Sequence, residues 1–143
     1  MRLEPFRVLL VDDEVELIDR FKTFNYSECR VDVEGVNSGP DALALLGRKK
    51  FDVVVLDVKM PKMDGIETLR EIKKRYPIIE VIMLTGHANV EVAIQGMELG
   101  AFDYLLKPIK IDQLLYKIQD AYKKKSLTDQ KIVQKKETFG RAE

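Results

Sequence analysis

The chain is poor in the features that would pull it toward several common protein classes. It has one cysteine, Cys29, in 143 residues, so no internal disulfide can form and a reducing compartment suits it. It has no net charge, with 24 Lys and Arg against 24 Asp and Glu, which removes the bulk attraction that draws basic proteins to nucleic acid. It has one histidine, His87, too few for a histidine-built metal cluster. No stretch approaches the ~20 apolar residues of a membrane span. The first apolar run, in "FRVLLVDDE", is too short for a secretory signal and runs straight into acids. These absences leave a soluble, cytoplasmic protein with no direct binding of nucleic acid or membrane. With 45% hydrophobic residues, the chain can bury one sizeable core in one domain.

What is present is a regular alternation. Five β-rich apolar runs, "VLLV" (8–11), "RVDVEGV" (30–36), "DVVVL" (52–56), "EVIML" (80–84) and "FDYLL" (102–106), are separated by helical spacing. Three of the runs lack polar alternation, as expected of strands covered on both faces, whereas "RVDVEGV" alternates and belongs at a sheet edge. Between them, apolar residues recur on one helical face: Leu17, Ile18 and Phe21; Ala42, Leu43 and Leu46; Ile66, Leu69 and Ile72; Val90, Ala93 and Ile94; Leu114, Leu115 and Ile118. Caps precede them, with acid-x-x-Glu boxes at Asp13/Glu16 and Asp64/Glu67 and a further cap at Asp112. Strand–helix alternation repeated five times predicts an α/β fold, a doubly wound five-stranded parallel sheet with five helices and right-handed crossovers. The flavodoxin-like order 2-1-3-4-5 is taken by analogy for a chain of this size. After Tyr122 the apolar residues scatter, so residues 1–125 are expected to form the domain and 126–143 a helical extension or a flexible tail.

The unusual polar residues gather at the C-terminal ends of the runs. Asp12 and Asp13 follow the first, Asp57 the third, Thr85 the fourth and Lys107 the fifth. Parallel strands put all of these ends on one edge of the sheet, and strands 1 and 3 flank the switch point where such sheets bind ligands. Carboxylates crowded this way need a cation. An all-oxygen donor set favours a hard one such as Mg²⁺, and three carboxylates with one lysine leave a charge of −2 for it to cancel. A carboxylate in such a place is a nucleophile that can form an aspartyl phosphate, with a metal, Lys107 and the Thr85 hydroxyl to stabilise the transferring oxygens.

"LLVDDE", "VVVLDVKMPKMDGIE", "VIMLTGHANV" and "GAFDYLLKPI" together resemble the receiver domains of two-component response regulators, over roughly residues 6 to 122. The resemblance implies that Asp57 accepts a phosphoryl group from a sensor histidine kinase or a phosphotransfer protein. It implies that Asp13 and Asp57 bind Mg²⁺ (or Mn²⁺) directly, Asp12 mostly through water, and the backbone carbonyl of Lys59 as a further ligand. Thr85 is then the switch hydroxyl, Tyr104 the aromatic that follows it inward, and Lys107 the phosphate-contacting lysine, with a cis peptide to Pro108. Lys59 and His87 occupy the positions that tune dephosphorylation, and the Lys59 ammonium is expected to lengthen the phosphoryl lifetime. Such a domain is no enzyme toward outside substrates. It catalyses its own phosphoryl transfer and slow autodephosphorylation, then presents a face of helix 4, strand 5 and helix 5 to a partner, an output domain or a second copy.

Taken singly, these residues have plainer readings. Asp57 alone is as readily a turn residue, Asp13 an N-cap, Thr85 a loop hydroxyl, Tyr104 a half-buried strand aromatic and His87 an exposed loop residue. Lys123, Lys124 and Lys125 read as a solvated helix end. Agreement across four strand ends outweighs the plain readings of the acids. A haloacid-dehalogenase-type phosphatase also places a nucleophilic aspartate after a buried strand, but in a D-x-D pattern whose second position is Lys59 here. A flavodoxin-like cofactor binder would set a phosphate against "DDE", which repels it. The motif wording is similar to receivers placed ahead of ATPase or DNA-binding modules, and both a stand-alone receiver and a piece of a longer regulator stay open.

Overall fold

Val8 to Val11 and Val53 to Leu56 have no exposed surface, as continuous apolar runs must when helices cover both faces of a sheet. In the computed structural model, which describes residues 6–23, 31–58, 65–86 and 90–141, the elements alternate strictly. They are β1 (Phe6–Val11), α1 (Val15–Thr23), β2 (Val31–Val36), α2 (Gly39–Leu46), β3 (Val53–Asp57), α3 (Gly65–Arg75), β4 (Glu80–Thr85), α4 (Val90–Glu98), β5 (Asp103–Leu106) and α5 (Ile111–Arg141). The five strands pair in parallel in the order β2-β1-β3-β4-β5. The half-polar β2 lies at one edge and β5, with alternating exposure, at the other. No helix among the described residues is long and apolar enough to cross a membrane.

The period of two along each strand divides the core into two halves. Leu9, Val11, Val54, Leu56, Val81 and Met83 face one way and pack with α2 and α3 residues such as Ala42, Leu46, Leu69 and Ile72. Val8, Leu10, Val53, Val55, Ile82 and Leu84 face the other way, onto Leu17, Ile18 and Phe21 of α1 and Leu114 and Ile118 of α5. The sheet is thereby clamped on both sides, and residues at its C-terminal edge inherit that rigidity.

Several local expectations are corrected. Asp57 and Thr85 are the last residues of β3 and β4, not the first residues beyond them. Asp13 is not the cap of α1: the Glu14 carbonyl accepts from Ile18 N at 3.4 Å, so the helix starts one residue later. Asp112 lies inside α5 and accepts from Gln113 N at 2.9 Å. Ser38 does cap α2, its hydroxyl accepting from Asp41 N at 3.2 Å with Pro40 in the first turn. The Asp64 box and Asn89 lie outside the described residues.

Helix α5 continues unbroken for 31 residues, well past the point where its apolar spacing fades. The lysine run on it is not simply a solvated end. Lys125 Nζ lies 2.8 Å from Asp52 Oδ1, and Lys124 Nζ lies 3.5 Å from the buried Glu80 Oε1 and 5.8 Å from the Phe102 ring centre. Asp52 also accepts from Arg7 N at 2.9 Å, so one carboxylate joins the starts of β1 and β3 to α5.

Candidate functional site

Strand pairing carries the polar residues to one place. Val11 pairs with Leu56, Asp57 with Leu84, and Thr85 with Leu106. The ladder extends past the strand ends: Asp12 N donates to Val36 O at 3.1 Å, Val58 N to Leu84 O at 3.1 Å, and Lys107 N to Thr85 O at 2.8 Å. Each functional side chain therefore leaves a backbone that is hydrogen-bonded to its neighbour. The Lys107–Pro108 peptide is cis.

On this edge one carboxylate oxygen from each of Asp12, Asp13 and Asp57 lies within 4.8 Å of the other two. Lys107 Nζ sits among them, 3.1 Å from Asp12 Oδ2 and 3.2 Å from Asp57 Oδ2. It also lies 3.2 Å from Glu14 Oε1. Asp12 is 0% and Asp57 4% exposed, whereas Asp13 is open to solvent. Asp12 Oδ1 accepts from Glu14 N at 2.8 Å. Its Oδ2 is buried and ion-paired with the ammonium. Three carboxylates, those of Asp12, Glu14 and Asp57, thus share one ammonium. The remaining donors are all oxygen, and three clustered carboxylates against one ammonium leave negative charge uncancelled, which suits a small hard divalent cation. The residues fit a metal, which Asp12, Asp13 and Asp57 could hold.

The electrostatics follow from that crowding. Asp12 is pushed up from the ordinary 3.8 to about 6, by burial first and then by the Asp57 charge, against the Glu14 N–H bond and Lys107. Burial alone would lower Lys107. The charges and hydrogen bonds of Asp12 and Asp57 more than offset it, so its proton is held more tightly than usual. A raised carboxyl pKa means that the folded state binds a proton which the unfolded state releases. This group therefore adds stability as pH falls from about 6 toward 3.8 and removes it as pH rises, by up to about 3 kcal/mol. In metal-free buffer, Asp12→Asn is expected to melt above wild type at pH 7, with the gap closing toward pH 4. Thermal unfolding of both proteins across that range checks it, and a gap independent of pH would contradict it.

Thr85 is 1% exposed and its Oγ1 has no hydrogen-bond partner among the described residues. Tyr104 is 42% exposed on the edge strand β5. Lys59 and His87 lie outside the described residues. The structure thus clusters Asp12, Asp13 and Asp57, pairs Lys107 with Asp12 and Asp57, sets Thr85 at the adjoining strand end, and leaves Tyr104 partly exposed on β5. Glu14 was missed by sequence reasoning, although "DDE" placed a third acid there. Gly65 was read only as a helix start. A Cβ on it would sit 2.3 Å from Val58 Cα and 2.8 Å from Asp57 O, so a bare residue lets α3 begin against the backbone of Asp57 and Val58. Beside Lys107, a cavity of about 440 Å³ opens between Glu14, Glu16, Gly86 and Pro108.

A family model described as "Response regulator receiver domain" matches residues 8–119. The chain is 39% identical over 118 residues to the transcriptional regulatory protein ZraR of Salmonella typhimurium, covering 80% of this chain and 26% of that protein. It is 36% identical over 121 residues to the regulatory protein AtoC of Escherichia coli, covering 85% and 26%. The chain therefore spans about a quarter of the length of the curated relatives it matches. Among solved structures, it superposes on a CheY-like response regulator receiver domain protein from Methanospirillum hungatei with a TM-score of 0.80 at 30% identity, covering 87% of this chain and 99% of that one. A response regulator receiver domain protein from Clostridium thermocellum gives 0.79 at 36%, covering 86% and 98%.

Proposed function

Because the chain belongs to the response regulator receiver domain family of two-component systems, we propose that Asp57 is its phosphoryl acceptor. The observation that carries this reading is the placement of Asp57 at the switch point, almost fully buried, with Lys107 Nζ 3.2 Å from Oδ2 and two more carboxylates beside it. An Asp57 oxygen attacks phosphorus, the bond from phosphorus to the donor's histidine nitrogen breaks, and that nitrogen keeps the electron pair. A bound Mg²⁺ or Mn²⁺ supplies charge neutralisation for the transferring oxygens. Asp12, Asp13, Asp57 and the Lys59 carbonyl would hold it. Lys107, already shared among Asp12, Asp57 and Glu14, swings onto a phosphoryl oxygen at little cost because it stays close to its first partners. The phosphoryl donor is a sensor histidine kinase or a phosphotransfer protein, in the cytoplasm. Lys59 and His87 set how fast water later removes the group.

The switch is driven by a hydroxyl that has no partner among the described residues. The buried Thr85 Oγ1 gains one when a phosphoryl oxygen arrives, and Tyr104, 42% exposed, follows it inward. That motion reshapes a face on which Val90, Ile94, Met97, Tyr104, Leu106 and Tyr116 are exposed, the face offered to an output domain, a partner or a second copy. Turning such an equilibrium from mostly off to mostly on takes about 5.5 kcal/mol of differential stabilisation. Residues 1–125 act as the receiver, and α5 continues beyond them to Arg141.

Intact mass spectrometry after treatment with acetyl phosphate tests the acceptor chemistry. One added phosphoryl group is expected with Mg²⁺ and none with a chelator, and equal labelling in both would refute a metal-assisted site. Replacing the orphaned hydroxyl separates switch from scaffold. Thr85→Val is expected to raise stability by about 1 kcal/mol in the unphosphorylated state, since a buried unpaired polar atom is removed. It should still be labelled, yet no longer shift Tyr104 fluorescence; a full fluorescence response in Thr85→Val would exclude the switch role. Light scattering with beryllofluoride, a phosphoryl mimic, reads the proposed second copy, and an unchanged monomer mass would remove dimerisation from the account.

A further inference from the structure

At the opposite end of the sheet lies a cavity that the phosphoryl chemistry does not use. It opens where α2 runs into β3 and α3 into β4, and it measures about 410 Å³, within the range of ligand-binding clefts. Tyr76, Pro77 and Ile78 form its wall, with Leu46, Phe51 and Ile79 buried behind them. Its other lining residues are Lys49, Lys50, Arg75 and Lys125, and none of the described residues that line it is acidic. The sequence explains the bias: the runs Arg48-Lys49-Lys50 and Lys73-Lys74-Arg75 both fall at this end. The chain is neutral overall, yet the acids of the candidate site gather at the other end.

The cations differ in what holds them. Lys125 is committed to Asp52 at 2.8 Å and helps shape the wall. Lys73 donates to Pro77 O at 2.8 Å and Ile79 O at 3.0 Å, fixing the loop that carries Pro77 and Ile78. Lys49 pairs with Glu34 at 2.8 Å and Arg75 with Glu71 at 3.2 Å, but both pairs are well exposed to solvent. Exposed pairs of this kind contribute little, so incoming carboxylates can replace Glu34 and Glu71 without a large penalty. The rim is therefore recruitable, and the wall is set.

We propose that this cavity docks an acidic protein segment that inserts one apolar side chain between Tyr76 and Ile78 and lays flanking carboxylates on Lys49, Lys50 and Arg75. The apolar wall gives a free inorganic anion nothing to bind, and a phosphate backbone would leave it equally unused. A membrane surface cannot enter a concave site of this size. An acidic segment with an apolar anchor satisfies both halves, the pocket supplying affinity and the charges supplying steering and specificity. The site stands apart from Asp57, so it can be filled whether or not the chain is phosphorylated.

Fluorescence anisotropy of a labelled peptide with one phenylalanine flanked by glutamates, titrated with the full chain, tests the proposal. Saturable binding is expected, weakened roughly tenfold by Lys49→Glu/Lys50→Glu and similarly by Ile78→Asp. It should also fall when the peptide's phenylalanine is replaced by alanine. Acetyl phosphate labelling of Lys49→Glu/Lys50→Glu should match wild type and report that the fold is intact. Absence of saturable binding, binding that ignores these substitutions, or tighter binding of polyuridine or phosphatidylserine vesicles than of the peptide would each overturn it.

Discussion

Asp57→Asn is expected to take up no phosphoryl group from acetyl phosphate under conditions that label the wild-type chain. The substitution keeps the shape of the side chain and leaves an oxygen for Lys107, now 3.2 Å from Oδ2. It removes the negative charge that makes the group a nucleophile toward phosphorus. It also removes one member of a crowded cluster, so Asp12, raised partly by the Asp57 charge, should titrate lower in the variant. Stability is not expected to suffer. Loss of labelling with an intact fold is thus the signature, read by intact mass and by melting temperature together. If Asp57→Asn labels as fast as wild type, the acceptor lies elsewhere.

Lys107→Met is expected to be the most destabilising single change at the site. It takes the ammonium away from two carboxylates that are 0% and 4% exposed. Removing one partner of a buried ion pair costs about 3–5 kcal/mol, because the remaining charges stay desolvated. Asp12 can relieve part of this by binding a proton, so the lower end, about 3 kcal/mol, is the expectation. For a chain of this size that lowers the melting temperature by roughly 10 °C. Mg²⁺ should recover more stability in Lys107→Met than in wild type, since the variant leaves a larger uncompensated negative charge. An unchanged melting temperature, or equal Mg²⁺ effects in both proteins, would mean that Lys107 does not carry the neutralisation assigned to it.

The sheet is legible in the sequence because continuous apolar runs and one alternating run translate directly into interior and edge strands. Val53 to Leu56 and the edge strand β2 are the plainest cases. The convergence of Asp12, Asp13, Asp57 and Lys107 is legible for the same reason: parallel strands align their ends, so three separate stretches can be read as one place. Helix starts are less legible, since Asp12, Asp13 and Glu14 are adjacent and only the backbone decides which carbonyl begins α1. Contacts between distant side chains are hidden altogether. Nothing local announces that Glu14 will meet Lys107, 93 positions away, or that Lys125 will meet Asp52, 73 positions away. Those pairings depend on how α1 and α5 settle against the sheet, and they turn an apparently solvated lysine run into an anchor for α5.

The central claim is the identity of the acceptor, and reductive trapping tests it most directly. Borohydride converts an aspartyl phosphate to homoserine, which peptide mass spectrometry then assigns to a position in the chain. After acetyl phosphate treatment with Mg²⁺, homoserine at position 57 and at no other aspartate is the result expected from the geometry of Asp57 and Lys107. Homoserine at position 12 or 13, or a phosphoryl group that resists reduction, would contradict it.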